Sequence, residues 1–356
     1  MSAPRIFVAC PDTPTACGGV KKLYRMVEIL VRHGFDAALL HARTSFQCRW
    51  FHSDIPVRSA ATVSIGPEDW LVLPETFERA YVTSHRWSWK RQKRVHRRLT
   101  RLAARTVIFN QNCYLTFRKH SWKDLRRPTL YQRSHTVAAI VVSEDSYRYL
   151  RTAFPNLRLF RIRNAVDPDR FFPTGAKKSQ IAFMPRKNAQ DVVQVLKILH
   201  LRGSLDGFRL APIDGMSEKQ VARTLQESAI FLSFGYPEGF GLPPTEAMAC
   251  GCFVIGYDGL GGREFFRPEF SCSIETGHIA AYVEAVEAVL AEWRRRPEAV
   301  LEKGRLAADF IHTTYSPEAE RRDVLRVWNC LLSDQAGTSR RTPDSQGPAS
   351  PNRRAA

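Results

Sequence analysis

No apolar run in this 356-residue chain approaches the roughly 20 residues that a bilayer-spanning helix needs. Met-Ser-Ala-Pro-Arg followed by Ile6–Cys10 holds too short an apolar stretch for a secretory signal. It reads as a first buried strand, and the chain is expected to stay in the cytoplasm. Cysteine is scarce: eight scattered residues do not make a disulfide framework. Cys250 and Cys252 form a C-x-C pair, but no second His/Cys cluster lies at metal-ligand spacing, so they read as small buried thiols and no metal site is expected. No G-x-G-x-x-G follows the first strand, which argues against a dinucleotide oxidoreductase. No repeat of solenoid length occurs.

Acidic residues are missing from one region above all. Between Arg86 and Arg105 there are nine Lys or Arg and no acid, and 118–133 adds six more against Asp124 alone. Residues 86–133 thus carry +14 of the formal +18. A charge excess this local implies an anionic partner for one face. Trp87, Trp89, Val95, Leu99 and Leu102 interleave with the cations at partly helical spacing. Three readings stand side by side: an amphipathic helix docked on anionic lipid, a nucleic-acid surface, and a helix packed on its own domain.

What is present is α/β alternation. The length suits two domains, and 44% hydrophobic residues suit a soluble globular chain. Ile6–Cys10 is a strand, a loop with Gly18-Gly19 follows, and Val20–His33 is a helix ended by Gly34. Further strands are expected at Ala37–His41, Trp70–Leu73, Thr106–Asn110, Ala138–Ser143 and Arg158–Ile162. Asn164–Gly175, with two interior prolines, reads as a linker. Beyond it come strands at Ser179–Met184, Phe208–Ile213, Ile230–Phe234 and Cys252–Gly256. Helices are expected at Ala189–Leu201, Glu218–Glu227 and Pro243–Ala249. Two more, Ile279–Trp293 and Pro317–Leu332, close the folded part. The expected organisation is two Rossmann-like units, 1–172 and 173–333, the last helix returning to the first unit, then a disordered tail at 334–356.

The segment Tyr236-Pro-Glu-Gly-Phe-Gly-Leu-Pro-Pro-Thr-Glu246 carries the chemistry. A strand ends before it, Gly239 and Gly241 allow close backbone approach, and Pro243-Pro244 suit a first helical turn. The free N–H groups of that turn suit a diphosphate. Glu238 and Glu246 flank it as acceptors for vicinal sugar hydroxyls. Together these features fit a sugar diphosphonucleoside lying across strand ends.

The string E-G-F-G-L-P-P-T-E followed by A-M-A-C-G resembles the group 1 family of retaining glycosyltransferases with the GT-B fold. Ile162–Pro173 looks like that family's interdomain segment, and Gly18-Gly19 like its N-terminal glycine loop. The resemblance covers most of residues 5–330, the basic region least. It implies that Glu246 binds ribose hydroxyls and that Glu238 contacts the transferred sugar. It places backbone amides of Phe240, Gly241 and Leu242 at sugar and diphosphate, and Gly18 and Gly19 beside the reacting phosphate. Family members stabilise the leaving diphosphate with an Arg and, about five residues on, a Lys. Here Arg186 stands at the expected place, whereas Lys187 follows at once, a departure from the pattern. Asn110, Gln111 and Asn112 occupy the place where a histidine is often seen; they can orient hydroxyls but cannot act as a base. Glu264, after Gly261-Gly262, looks like part of another donor-facing loop.

The implied reaction is transfer of a sugar from a nucleoside-diphosphate-sugar donor to a glycan or lipid-linked acceptor in envelope or polysaccharide assembly. It would be a metal-independent front-side substitution with no cofactor, at an enzyme that is cytoplasmic or peripheral to the inner membrane face. The alternatives are a sugar-nucleotide epimerase of similar fold, whose acid and histidine constellation is not evident, and a basic nucleic-acid-binding protein. The latter explains the charge but not Glu238 to Glu246, so no nucleic-acid partner is expected.

Overall fold

The computed structural model describes residues 4–43, 46–78, 89–118, 120–175 and 177–338, and their side chains except at 89–93 and 334–338. Seven strands form the first sheet: β1 (Ile6–Ala9), β2 (Ala37–His41), β3 (Val57–Ser59), β4 (Trp70–Pro74), β5 (Arg105–Asn110), β6 (Thr136–Val141) and β7 (Leu159–Arg161). Five form the second: β8 (Lys178–Phe183), β9 (Arg209–Pro212), β10 (Ser228–Phe234), β11 (Phe253–Tyr257) and β12 (Ser271–Ile274). All pairs run parallel, in the orders β3-β2-β1-β4-β5-β6-β7 and β12-β11-β10-β8-β9. Strands covered on both faces read as unbroken apolar runs, and β1, β4, β10 and β11 are buried at every residue. Register follows: Ile6 lies between Ala37 and Trp70, and Ile230 between Phe253 and Ile181.

Each sheet has a switch point where successive connections leave in opposite directions: β1/β4 in the first, β8/β10 in the second. Crevices for ligands open at the carboxyl ends of strands at such points. The helices are α1 (Gly18–Arg32), α2 (Trp89–Leu99), α3 (Glu144–Ala153), α4 (Ala189–Leu201), α5 (Glu218–Glu227), α6 (Leu242–Ala249), α7 (Ile279–Arg295), α8 (Pro297–Thr314) and α9 (Pro317–Thr338). In α1, Leu23, Met26, Val27 and Leu30 make the buried stripe that seats it on the first sheet. Ser143 caps α3 through the Ser146 N–H, and Ser217 with Gln220 forms a capping box on α5.

The last helix joins the two units. Trp328 of α9 is fully buried, edge-on to Trp70 of β4 at 5.8 Å. Glu320 takes Lys22 at 2.8 Å, and Asp323 takes Arg163 at 2.8 Å. Strands β3 and β12 and helices α3 and α8 were not anticipated. The first two are short edge strands with little apolar pattern. Helix α9 runs to Thr338, beyond the expected start of the tail; 339–356 lie outside the described residues. Among the described residues no helix is long and apolar enough to cross a membrane.

Of the three readings of α2, the structure favours the helix packed on its own domain. Val95 and Leu99 are buried in the first sheet's core, and Leu102 packs against it. Arg98 donates to the carbonyls of Ala60 and Val63. The described part of the apolar stripe therefore faces its own domain. Trp87 lies outside the described residues, as does the side chain of Trp89.

Candidate functional site

The two crevices meet. At the end of β10, residues 235–241 form the loop that leads into α6, and the β11 loop braces it. Glu238 N–H donates to the Gly259 carbonyl (2.8 Å), and Gly261 N–H to that of Glu238 (3.2 Å). Gly241 caps α6 at φ 99°, a left-handed conformation that explains glycine there. Pro243 and Pro244 follow in the first turn, as the sequence suggested. Against this loop stands the first domain. A methyl group at Gly239 would lie 2.8 Å from the Gln111 carbonyl carbon and 3.0 Å from Asn112 Cα, so glycine is required by close approach of two backbones. One at Gly18 would meet Leu242 Cδ1 at 2.6 Å. Gly18 of the first domain thus lies against Leu242 at the start of α6, and Gly19 lies against Gln111.

Lys187 Nζ bonds both oxygens of Glu238, at 3.0 and 3.1 Å. Asn188 sets this pair. It occupies φ 42°, ψ 52° as the N-cap of α4, and its amide donates to the carbonyls of Phe234 (3.0 Å) and Gly235 (3.2 Å). That clip ties the loop after β8 to the loop after β10. Arg186, expected beside it, instead points outward: 58% of its side chain is exposed, 3.6 Å from Asp214. The cation among the loop residues is Lys187.

Glu246 lies half-buried with no hydrogen-bonding side chain of the protein among the described residues. Burial pushes its carboxyl up to about 7; Glu218 adds to the rise, while Lys21, Lys22 and Lys187 oppose it. Lys21 reaches across the domains to Glu218 at 2.5 Å. Sequence reasoning passed over Lys21 and Lys22, although they directly follow Gly18-Gly19.

Two expected roles change. Asn110 is fully buried, donating to Thr116 Oγ1 (2.9 Å) and Tyr131 Oη (2.7 Å), so it cannot meet a ligand. Strand alternation turns its neighbour Gln111 to the cleft instead, where Nε2 donates to the Gly19 carbonyl at 3.0 Å. Glu264 is consumed by the domain junction: its oxygens accept from Arg161 (2.5 Å), Tyr315 (2.7 Å) and the Glu144 N–H (2.9 Å). Phe240 contributes only backbone to the cleft, its ring packing against Phe265 and Tyr315 at 5.3 and 5.1 Å. Glu75 was not anticipated. It directly follows β4 at the first switch point, is 5% exposed, accepts from Gln111 N–H at 3.1 Å, and is pushed up to about 7 by burial.

Residues 213–306, which hold α6 and both glutamates, match the family of glycosyl transferases group 1. An alpha-1,6-glucosyltransferase of Actinobacillus pleuropneumoniae is 31% identical over 128 residues, which span 35% of this chain and 39% of that protein. Sucrose-phosphate synthase of Thermosynechococcus elongatus superposes with a TM-score of 0.64 at 14% identity, covering 93% of this chain and all of that one. The UDP-glucose complex of HepE from Anabaena gives 0.61 at 13% identity, covering 94% and 99%. At such identities the superpositions speak for the fold. Residues 213–306 are thus similar to the glycosyl transferases group 1, the chain spans about two fifths of the length of the curated relative it matches, and its two parallel sheets form the GT-B fold seen in the superposed structures.

Proposed function

We propose that the chain transfers a sugar from a nucleoside-diphosphate-sugar to a hydroxyl of a glycan or lipid-linked acceptor, with retention and without metal or cofactor. The carrying observation is the Lys187–Glu238 pair beside the unpartnered Glu246, set at strand ends around the start of α6. Glu246 takes the ribose hydroxyls, Glu238 those of the sugar, and amides of 240–242 the diphosphate. As the anomeric carbon–oxygen bond breaks, negative charge gathers on the diphosphate, and Lys187, with Lys21 and Lys22 nearby, lowers the energy of that charge. The acceptor oxygen bonds to the anomeric carbon on the face the diphosphate leaves, and its proton passes to the departing phosphate oxygen. Gln111 holds the Gly18-Gly19 loop against the same phosphate. A UDP-sugar is the first donor to try, because HepE was solved with UDP-glucose.

Calorimetric titration with UDP-, GDP-, ADP- and TDP-sugars, followed by NMR of the product anomer, tests the reading. Inverted configuration, abolition of transfer by a chelator, or undiminished donor binding by Glu246→Ala would each overturn part of it.

A further inference from the structure

We infer that the surface turn 121–127 docks on an anionic lipid bilayer, with Trp122 and Leu125 entering it. These two side chains are 77% and 85% exposed, the largest exposures among the described bulky apolar residues. Single exposed apolar residues are ordinary on a folded surface. Here two lie three positions apart on one turn, and Arg118, Lys123, Arg126 and Arg127 are exposed around them. The one acid, Asp124, is engaged within the turn: it accepts from Ser121 N–H and Oγ, both at 2.9 Å, with Arg127 at 3.9 Å. It braces the turn while the cations face outward. Lys123 Nζ stands 5.5 Å from the centre of the Trp122 ring, so charge and aromatic are presented together.

That combination matches a headgroup boundary. Phosphates meet the cations, and an indole with an aliphatic neighbour enters the acyl edge. A nucleic acid would use the cations and the indole but gives an 85% exposed leucine no partner. The docking element is therefore this turn and not α2, whose stripe is buried. It lies ten residues beyond Gln111, on the connection that follows β5, so docking would hold the cleft side of the first domain near the bilayer. The surface is independent of sugar transfer, so vesicle binding and donor binding fail separately.

The test is flotation of the full chain with phosphatidylcholine vesicles, with and without phosphatidylglycerol. The chain should float only with the anionic vesicles. Trp122→Ser/Leu125→Ser should weaken partitioning at least about tenfold, as loss of two inserted side chains requires. Lys123→Ser/Arg126→Ser/Arg127→Ser should weaken it about a hundredfold, at about fivefold per cation. Arg94→Ser/Arg97→Ser on α2 should float almost as the parent does. Unchanged melting transitions assign the losses to the turn, and quenching by brominated lipid should vanish in Trp122→Phe. Flotation blind to lipid charge, parental flotation by both turn variants, or capture by a single-stranded oligonucleotide or polyglutamate but not by vesicles would overturn the inference.

Discussion

Gly239→Ala isolates the contact between the domains. The added methyl would stand 2.8 Å from the carbonyl carbon of Gln111, against an optimum of about 3.5–4.0 Å between carbons. The neighbour is backbone at the end of β5, so no rotamer change relieves the overlap, and the walls must part by about 1 Å. Gln111 also holds Gly19, so the displacement reaches the loop assigned to the reacting phosphate. Misplacement of about 1 Å costs on the order of a hundredfold in rate. Steady-state transfer should show kcat lowered by about that factor, with donor Kd changed far less because Glu246 and α6 stay together. Gly175→Ala, where a methyl meets nothing within 4 Å, is the control. A Gly239→Ala enzyme within threefold of the parental kcat would refute the reasoning.

Asn188→Ala removes the amide clip and strains a left-handed position by about 1–2 kcal/mol, and kcat should fall roughly tenfold or more; Asn188→Gly should recover stability but not rate. Donor affinity should weaken as pH drops through about 7, near tenfold at about pH 6, because the ionised Glu246 accepts hydroxyls best; calorimetry in Glu246→Gln should lose this dependence. Burial pushes Glu75 up to about 7, against 4.5 for the carboxyl in water, so the folded chain binds more protons between them. Its contribution is present below about 4.5 and lost as pH rises through about 7, at most about 3 kcal/mol; urea unfolding of Glu75→Gln across that window should show a flatter pH profile. Glu264→Gln should destabilise by about 1–3 kcal/mol in the same assay, since a charge shared by Arg161 and Tyr315 is removed.

Both sheets were legible because buried parallel strands write themselves as apolar runs between helical repeats, and β1, β4 and β10 fell where expected. The loop of 235–241 was legible because its glycines and prolines each answer a local backbone demand. What escaped was whatever depends on two distant segments. Asn110 and Gln111 are adjacent amides, and only the register of β5 decides which one faces the cleft. Glu264 resembles a ligand-facing acid until Arg161, Tyr315 and α3 are brought to it from three other parts of the chain. Arg186 and Lys187 differ in the same way: the Asn188 clip, invisible in sequence, settles which cation reaches Glu238.

The Lys187–Glu238 pair has a consequence for how donor is selected. In the structure each group satisfies the other, and Lys21 with Glu218 does the same across the domains. Free diphosphate would draw on Lys187 yet leave Glu238 uncompensated in a partly buried place, which is costly. A sugar without the diphosphate has the converse fault, competing with an ammonium for the carboxylate. A whole donor offers an anion to the lysine and hydroxyls to the glutamate at once, so both exchanges are balanced. Either part alone should therefore bind worse than its share of the intact donor's contacts would give. Glu238→Gln should narrow that gap, because a neutral amide neither holds Lys187 as firmly nor suffers when it leaves.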